Sequence, residues 1–171
     1  MYQESTLIDL VKLIYDAAAD SARWPAFLGR YQEILAARNI ALGYTSPDLS
    51  QSLFLATGVD MSDMERYHRY PCPWLDRLLM ANWRDGGADA SHHLISDSEL
   101  RSTDCFNEFL GPRQFHYGMG AAIPATQEGP AVLVILRENH KGPYSDEDLH
   151  FLRTLLPHMS SAFNATSTCP R

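Results

Sequence analysis

Apolar positions along the chain recur at two spacings, three-to-four and two, and the switches between them sketch an order of helices and strands. Leu7, Leu10, Val11, Ile14 and Ala18 mark one face of an opening helix, with Ser5 and Thr6 available as caps. Trp24, Phe27, Leu28, Tyr31 and Leu35 mark a second helix, entered through Asp20-Ser21, with Pro25 in its first turn where a missing N–H is tolerated. Ile40 to Tyr44 and Ser52 to Thr57 read as short strands joined through the turn-forming Ser46-Pro47-Asp48. Ser62-x-x-Glu65 starts a third helix, which Pro71 and Pro73 interrupt before a segment from Trp74 to Trp83. Arg84 to Ala90 is the best loop candidate. Ser96-x-x-Glu99 then starts a short helix, followed by an aromatic segment from Phe106 to Phe115.

The C-terminal third is the sharpest part of the pattern. Ala131 to Leu136 is an apolar, β-branched run of strand length, bounded by Glu128-Gly129-Pro130 and Lys141-Gly142-Pro143, and it pairs with His116 to Ile123 as a closing hairpin. Ser145 stands three residues before Asp148, the spacing of a capping box. Beyond it, Leu149, Leu152, Leu156, Met159 and Phe163 form one apolar stripe on a long helix. Phe151, Leu155 and Ala162 add a second apolar edge, wider than a single contact consumes, and Pro157 is a candidate swivel point. The expected architecture is α+β: one antiparallel sheet, with the opening helices and the long C-terminal helix on one face.

Composition narrows the function. At 171 residues the chain is expected to be one domain, residues 1–171, with no repeat or linker. A net charge of −7 argues against this chain itself gripping a phosphate backbone, which needs a basic face. No apolar stretch is long enough to span a bilayer, and Met1-Tyr2-Gln3-Glu4 does not open a signal peptide, so a cytoplasmic location is expected. Cys72, Cys105 and Cys169 are far apart in sequence and form no C-x-x-C, which reads as reduced thiols.

No catalytic or metal constellation stands out. Glu65-x-x-His68 occurs once where a di-iron site needs it twice, and His92-His93, taken as strand residues, would point to opposite faces. Neither cysteine has an assignable base beside it, and Gly118-Met119-Gly120 is too short for a dinucleotide loop. No cofactor is expected. The aromatic middle of the chain is more suggestive. Tyr67, Trp74, Trp83, Phe109, His116 and Met119 are the residues expected to line an apolar cavity with a few polar tips. A void touching at least three of them is what that expectation requires.

These segments carry a family resemblance over essentially the whole chain. Leu13-Ile14-Tyr15-Asp16-Ala17-Ala18 with Trp24-Pro25, and Tyr67-x-x-Tyr70-x-x-Pro73-Trp74, resemble the N-terminal sensory region of bacterial LuxR-type transcriptional regulators. So do Ile95-Ser96 through Thr103, Phe106 through Pro112, Tyr144 through Leu149, and Leu155-Leu156-Pro157-His158-Met159. Where the family often has Asp before Pro-Trp, this chain has Cys72. The resemblance implies a GAF- or PAS-like sensor fold and a DNA-binding helix-turn-helix domain beyond Arg171, outside this chain.

Together these readings predict a non-enzymatic sensor that binds a small-molecule effector, reaches DNA only through that further domain and has no membrane partner. A homodimer is expected through a terminal helix, with Leu149, Leu152, Leu156, Met159 and Phe163 as the candidate seam. The alternative from another class is a dimerisation module with a filled core. A third is a small thiol enzyme or hydrolase.

Overall fold

The period-two segments pair into one antiparallel sheet of five strands, in the order β2-β1-β5-β4-β3. The computed structural model describes residues 1–45, 52–126 and 129–167. The strands are β1 (Asn39–Thr45), β2 (Ser52–Ala56), β3 (Gly87–Ala90), β4 (Phe115–Thr126) and β5 (Gly129–Glu138). Helices α1 (Glu4–Ala19), α2 (Trp24–Leu35) and α7 (Asp146–Ser167) cover one face, as the sequence predicts. The opposite face carries α3 (Met61–Arg69), α4 (Pro73–Asn82), α5 (Ser91–Leu94), α6 (Asp97–Arg101) and a π-helical turn, Cys105–Leu110. The expected turn at Ser46-Pro47-Asp48, and Cys169, lie outside the described residues.

Alternation along the strands divides the core into two layers. Ile40 and Leu42 of β1, Met119, Ala121 and Ile123 of β4, and Ala131, Leu133 and Ile135 of β5 pack against α1, α2 and α7. That layer is filled by Leu10, Ile14, Trp24, Phe27, Tyr31, Leu152, Leu155 and Met159, all fully buried or nearly so. Trp24 stacks on Phe163, with ring centroids 4.9 Å apart. The Ser145 capping box forms: the Asp148 N–H donates to Ser145 Oγ over 3.1 Å, and the Ser145 N–H donates to Asp148 Oδ2 over 2.9 Å. Arg153 reaches from α7 to the carbonyl oxygen of Ala88 at 3.0 Å, tying the helix to edge strand β3.

Several local expectations are corrected. The second apolar edge of α7 is not left in water, because Phe151 stacks on Tyr2 at 4.2 Å and Leu155 and Ala162 are buried within the chain. Leu149, Leu152, Met159 and Phe163 are likewise core residues, and Leu156 is half-buried. Half of the expected loop, Gly87 to Ala90, is β3; it lacks branched side chains and is held by pairing with Gly120, Ala121 and their neighbours on β4. α1 is capped from Gln3 without a side-chain bond, so Ser5 and Thr6 lie inside the helix. α3 starts two residues earlier than predicted, with a capping box between Asp60 and Asp63. His92 and His93 sit on a helical turn with rings 4.3 Å apart, and His93 bonds Asp89 at 2.7 Å. Among the described residues, no group of three His, Cys, Asp or Glu is placed to hold a metal ion, and no helix is long and apolar enough to cross a membrane.

Candidate functional site

A cavity of about 430 Å³ lies on the α3–α4 face of the sheet. Its floor comes from the strand positions that alternate with the packed core: Asn39, Ala41 and Gly43 of β1, and Pro130, Val132, Val134 and Leu136 of β5. These positions face each other across the ladder, where Asn39 pairs with Leu136, Ala41 with Val134 and Gly43 with Val132. The void exists because β1 offers small side chains here, while Ile40 and Leu42 go to the other face. The roof is Tyr67 and His68 of α3, Leu75 and Leu79 of α4, and Phe109 of the π-helical turn. Phe54 and His68, both exposed, mark the side that opens to solvent.

The roof is braced by charge outside the cavity. Asp63, already fixed in the α3 capping box, pairs with Arg113. The Arg113 guanidinium lies 4.8 Å over the Phe109 ring, which also meets Tyr67 at 5.5 Å. α3 and the π-helical turn are thereby joined around Phe109. Among the described residues, no Lys, Arg, Asp or Glu lines the void itself. Its polar residues are Tyr44, Tyr67, His68 and Asn39, whose amide donates to the Thr57 carbonyl oxygen. Burial pushes the Tyr67 phenol well above its ordinary value, so it stays protonated and able to donate.

The structure brings together two of the six residues expected at the site, Tyr67 and Phe109. Met119 is turned to the other face by the alternation of β4 and is fully buried there. Trp74 is buried but lies flat over β4: an added Cβ at Gly118 would come within 2.5 Å of its ring, and one at Gly120 within 3.2 Å. Trp83 follows the end of α4 and is 54% exposed. His116 is buried beside α6, its Nε2 2.6 Å from Asp97 Oδ1, where it borders two further clefts. This cavity touches two of the six, where the expectation requires three, and it is framed by small and aliphatic strand residues instead. A signal for them was present in the sequence, since Ala41 and Gly43 alternate with Ile40 and Leu42.

No family model matches the chain, and no curated protein matches its sequence. Solved structures do. The ligand-binding domain (LBD) of VqsR from Pseudomonas aeruginosa superposes with a TM-score of 0.66 at 12% identity, over 95% of this chain and 97% of that one. CepR2 from Burkholderia cenocepacia, an N-acylhomoserine lactone dependent LuxR family transcription factor, gives 0.62 at 12% identity, over 96% and 97%. The GAF domain of a phosphoenolpyruvate-protein phosphotransferase from Coxiella burnetii gives 0.62 at 15% identity, over 94% of each chain. The chain has a GAF-like fold. At these identities the likeness carries the architecture alone.

Proposed function

We propose that this domain is a non-enzymatic cytoplasmic sensor that takes an uncharged, largely apolar small molecule into the cavity over β1 and β5. The observation that carries the reading is the asymmetry of the two sheet faces: one is packed with large side chains, the other holds a void of about 430 Å³. That volume falls in the range of small-molecule sites. Among the described lining residues a charged ligand would find no counter-charge, and it would lose its hydration uncompensated. Tyr67 supplies a hydrogen-bond donor that orients a neutral acceptor.

The route outward is short. On β5, Val132 and Val134 face the cavity while Leu133 and Ile135 turn to the layer that α7 closes, and β5 pairs with β4, on which α7 rests, so a ligand that shifts β5 disturbs the seat of the helix. α7 then passes the change to a DNA-binding domain outside this chain. The likeness to VqsR and CepR2 supports a regulator of LuxR type; the lactone dependence is that of CepR2, and the effector here is a separate question.

Titration with the neutral dye Nile red tests the reading. Saturable binding by the wild type, weakened at least about tenfold (1.4 kcal/mol) by Ala41→Phe, is expected. Equal binding by both proteins, or none by either, favours the filled dimerisation module.

A further inference from the structure

Cys72 and Cys105, 33 positions apart in sequence, meet inside the α3–α4 layer with their sulfurs 2.8 Å apart. Both are buried and unbridged. Each is held by backbone rather than by a mobile loop. The Cys72 carbonyl oxygen accepts from the N–H groups of Leu75 and Asp76, at 3.0 and 3.2 Å, at the start of α4. Pro71 and Pro73 restrict the backbone on either side of it. Cys105 is the first residue of the π-helical turn. The sulfurs need to approach by only about 0.8 Å to reach a bonded separation of roughly 2.05 Å.

We propose that Cys72 and Cys105 are a modification site: a dithiol that a small uncharged hydroperoxide oxidises to an intramolecular disulfide. One sulfur attacks the distal peroxide oxygen, the O–O bond breaks, and the alcohol or water leaves with the thiol proton. The second sulfur displaces the oxygen of the resulting sulfenic acid, the S–S bond forms, and the S–O bond breaks to release water with the second thiol proton. Two electrons pass from the thiols to the peroxide.

The surroundings select the oxidant. The hydrogen bond with Cys105, and then burial, hold the Cys72 thiol far above its ordinary value, so the resting Cys72 sulfur is a slow nucleophile. Trp74, Leu75, Leu78, Phe109 and Leu110 wall it in, which excludes large or charged reagents. Once formed, the bond links α4 to the π-helical turn, three residues from Leu75 and four from Phe109 in the cavity roof. This site is independent of the sensor reading and stands whether or not the cavity takes a ligand.

The test uses the full chain with Cys169→Ser, so that only the two buried thiols remain. It is treated with excess hydrogen peroxide, then unfolded, alkylated, digested and weighed. Loss of two hydrogens, protection of both cysteines, a cross-linked Cys72–Cys105 peptide and reversal by dithiothreitol are expected. Two thiols that remain fully alkylatable overturn the proposal. So does addition of oxygen to either sulfur with no cross-linked peptide.

Discussion

A methyl group added at Gly118 should unseat Trp74 and destabilise the fold, and one added at Gly29 should stabilise it. In the Gly118→Ala protein the new Cβ would stand 2.5 Å from Trp74 Cζ2, 3.0 Å from Cη2 and 3.1 Å from Cε2. The indole cannot swing aside freely, because it is buried between β4 and the core of the α3–α4 layer. Overpacking of this kind costs about 1–3 kcal/mol. Restricting the unfolded chain returns roughly 0.4–1 kcal/mol, which leaves a net loss of about 1.3 kcal/mol at the midpoints of the two ranges. For a domain of this size that lowers Tm by roughly 3–5 °C. Gly29, within α2, has nothing within 4 Å of an added Cβ. Gly29→Ala should therefore stabilise by about 0.5–1 kcal/mol. Paired thermal melts followed by circular dichroism, with tryptophan emission as a second probe, measure both. A Gly118→Ala protein as stable as the wild type would refute the close seating of Trp74 on β4.

Burial, as the largest influence, raises the phenols of Tyr2, Tyr31, Tyr67 and Tyr144 above their ordinary value. Their folded values exceed the unfolded value near pH 10, so stability is whole below about pH 10 and falls as pH rises beyond it. Tyrosinate absorbance should show these four ionising only as the protein unfolds; titration of all eight tyrosines near pH 10 in a folded protein would contradict this. Leu152→Ala, at a fully buried position, should cost about 2–5 kcal/mol in urea melts by emptying the core, whatever the protein concentration. The homodimer expectation moves instead to the outer face of α1, where Ile8 and Tyr15 are exposed: Ile8→Glu should lower the sedimentation coefficient without lowering Tm, and a wild-type monomer at tens of micromolar would end it. With a net charge of −7, the chain alone should leave duplex DNA unshifted in a mobility assay, and micromolar salt-dependent binding would reverse that view.

The layers of the fold were legible in the sequence wherever one face of an element is buried and the other is not. The five residues that mark α2 in the sequence, Trp24, Phe27, Leu28, Tyr31 and Leu35, are the five it buries. β3 was hidden because Gly87-Ala88-Asp89-Ala90 has no strand propensity of its own and exists by pairing with β4. The width of the apolar surface on α7 was legible, but its partner was not: Tyr2 and the neighbouring helices cover it from within the chain. At the cavity, attention to large aromatic residues misled for a physical reason. Trp74 and Met119 fill space, whereas a void opens where side chains stop short, at Ala41 and Gly43. The meeting of Cys72 with Cys105 depends on how α4 and the π-helical turn pack, which no local pattern encodes.

The central claim is that the sheet has one filled face and one face that accepts a neutral molecule. Methyl-resolved NMR of the Ile, Leu and Val side chains, titrated with a panel of neutral fragments, tests it most directly. Binding should shift the methyls of Leu53, Leu75, Leu79, Val132, Val134 and Leu136, which line the cavity, in one saturable event. Leu10, Ile14 and Leu28, in the packed layer beyond the sheet, should stay near their unliganded positions. Fragments that leave the cavity methyls unmoved, or that shift both layers alike, would contradict the account.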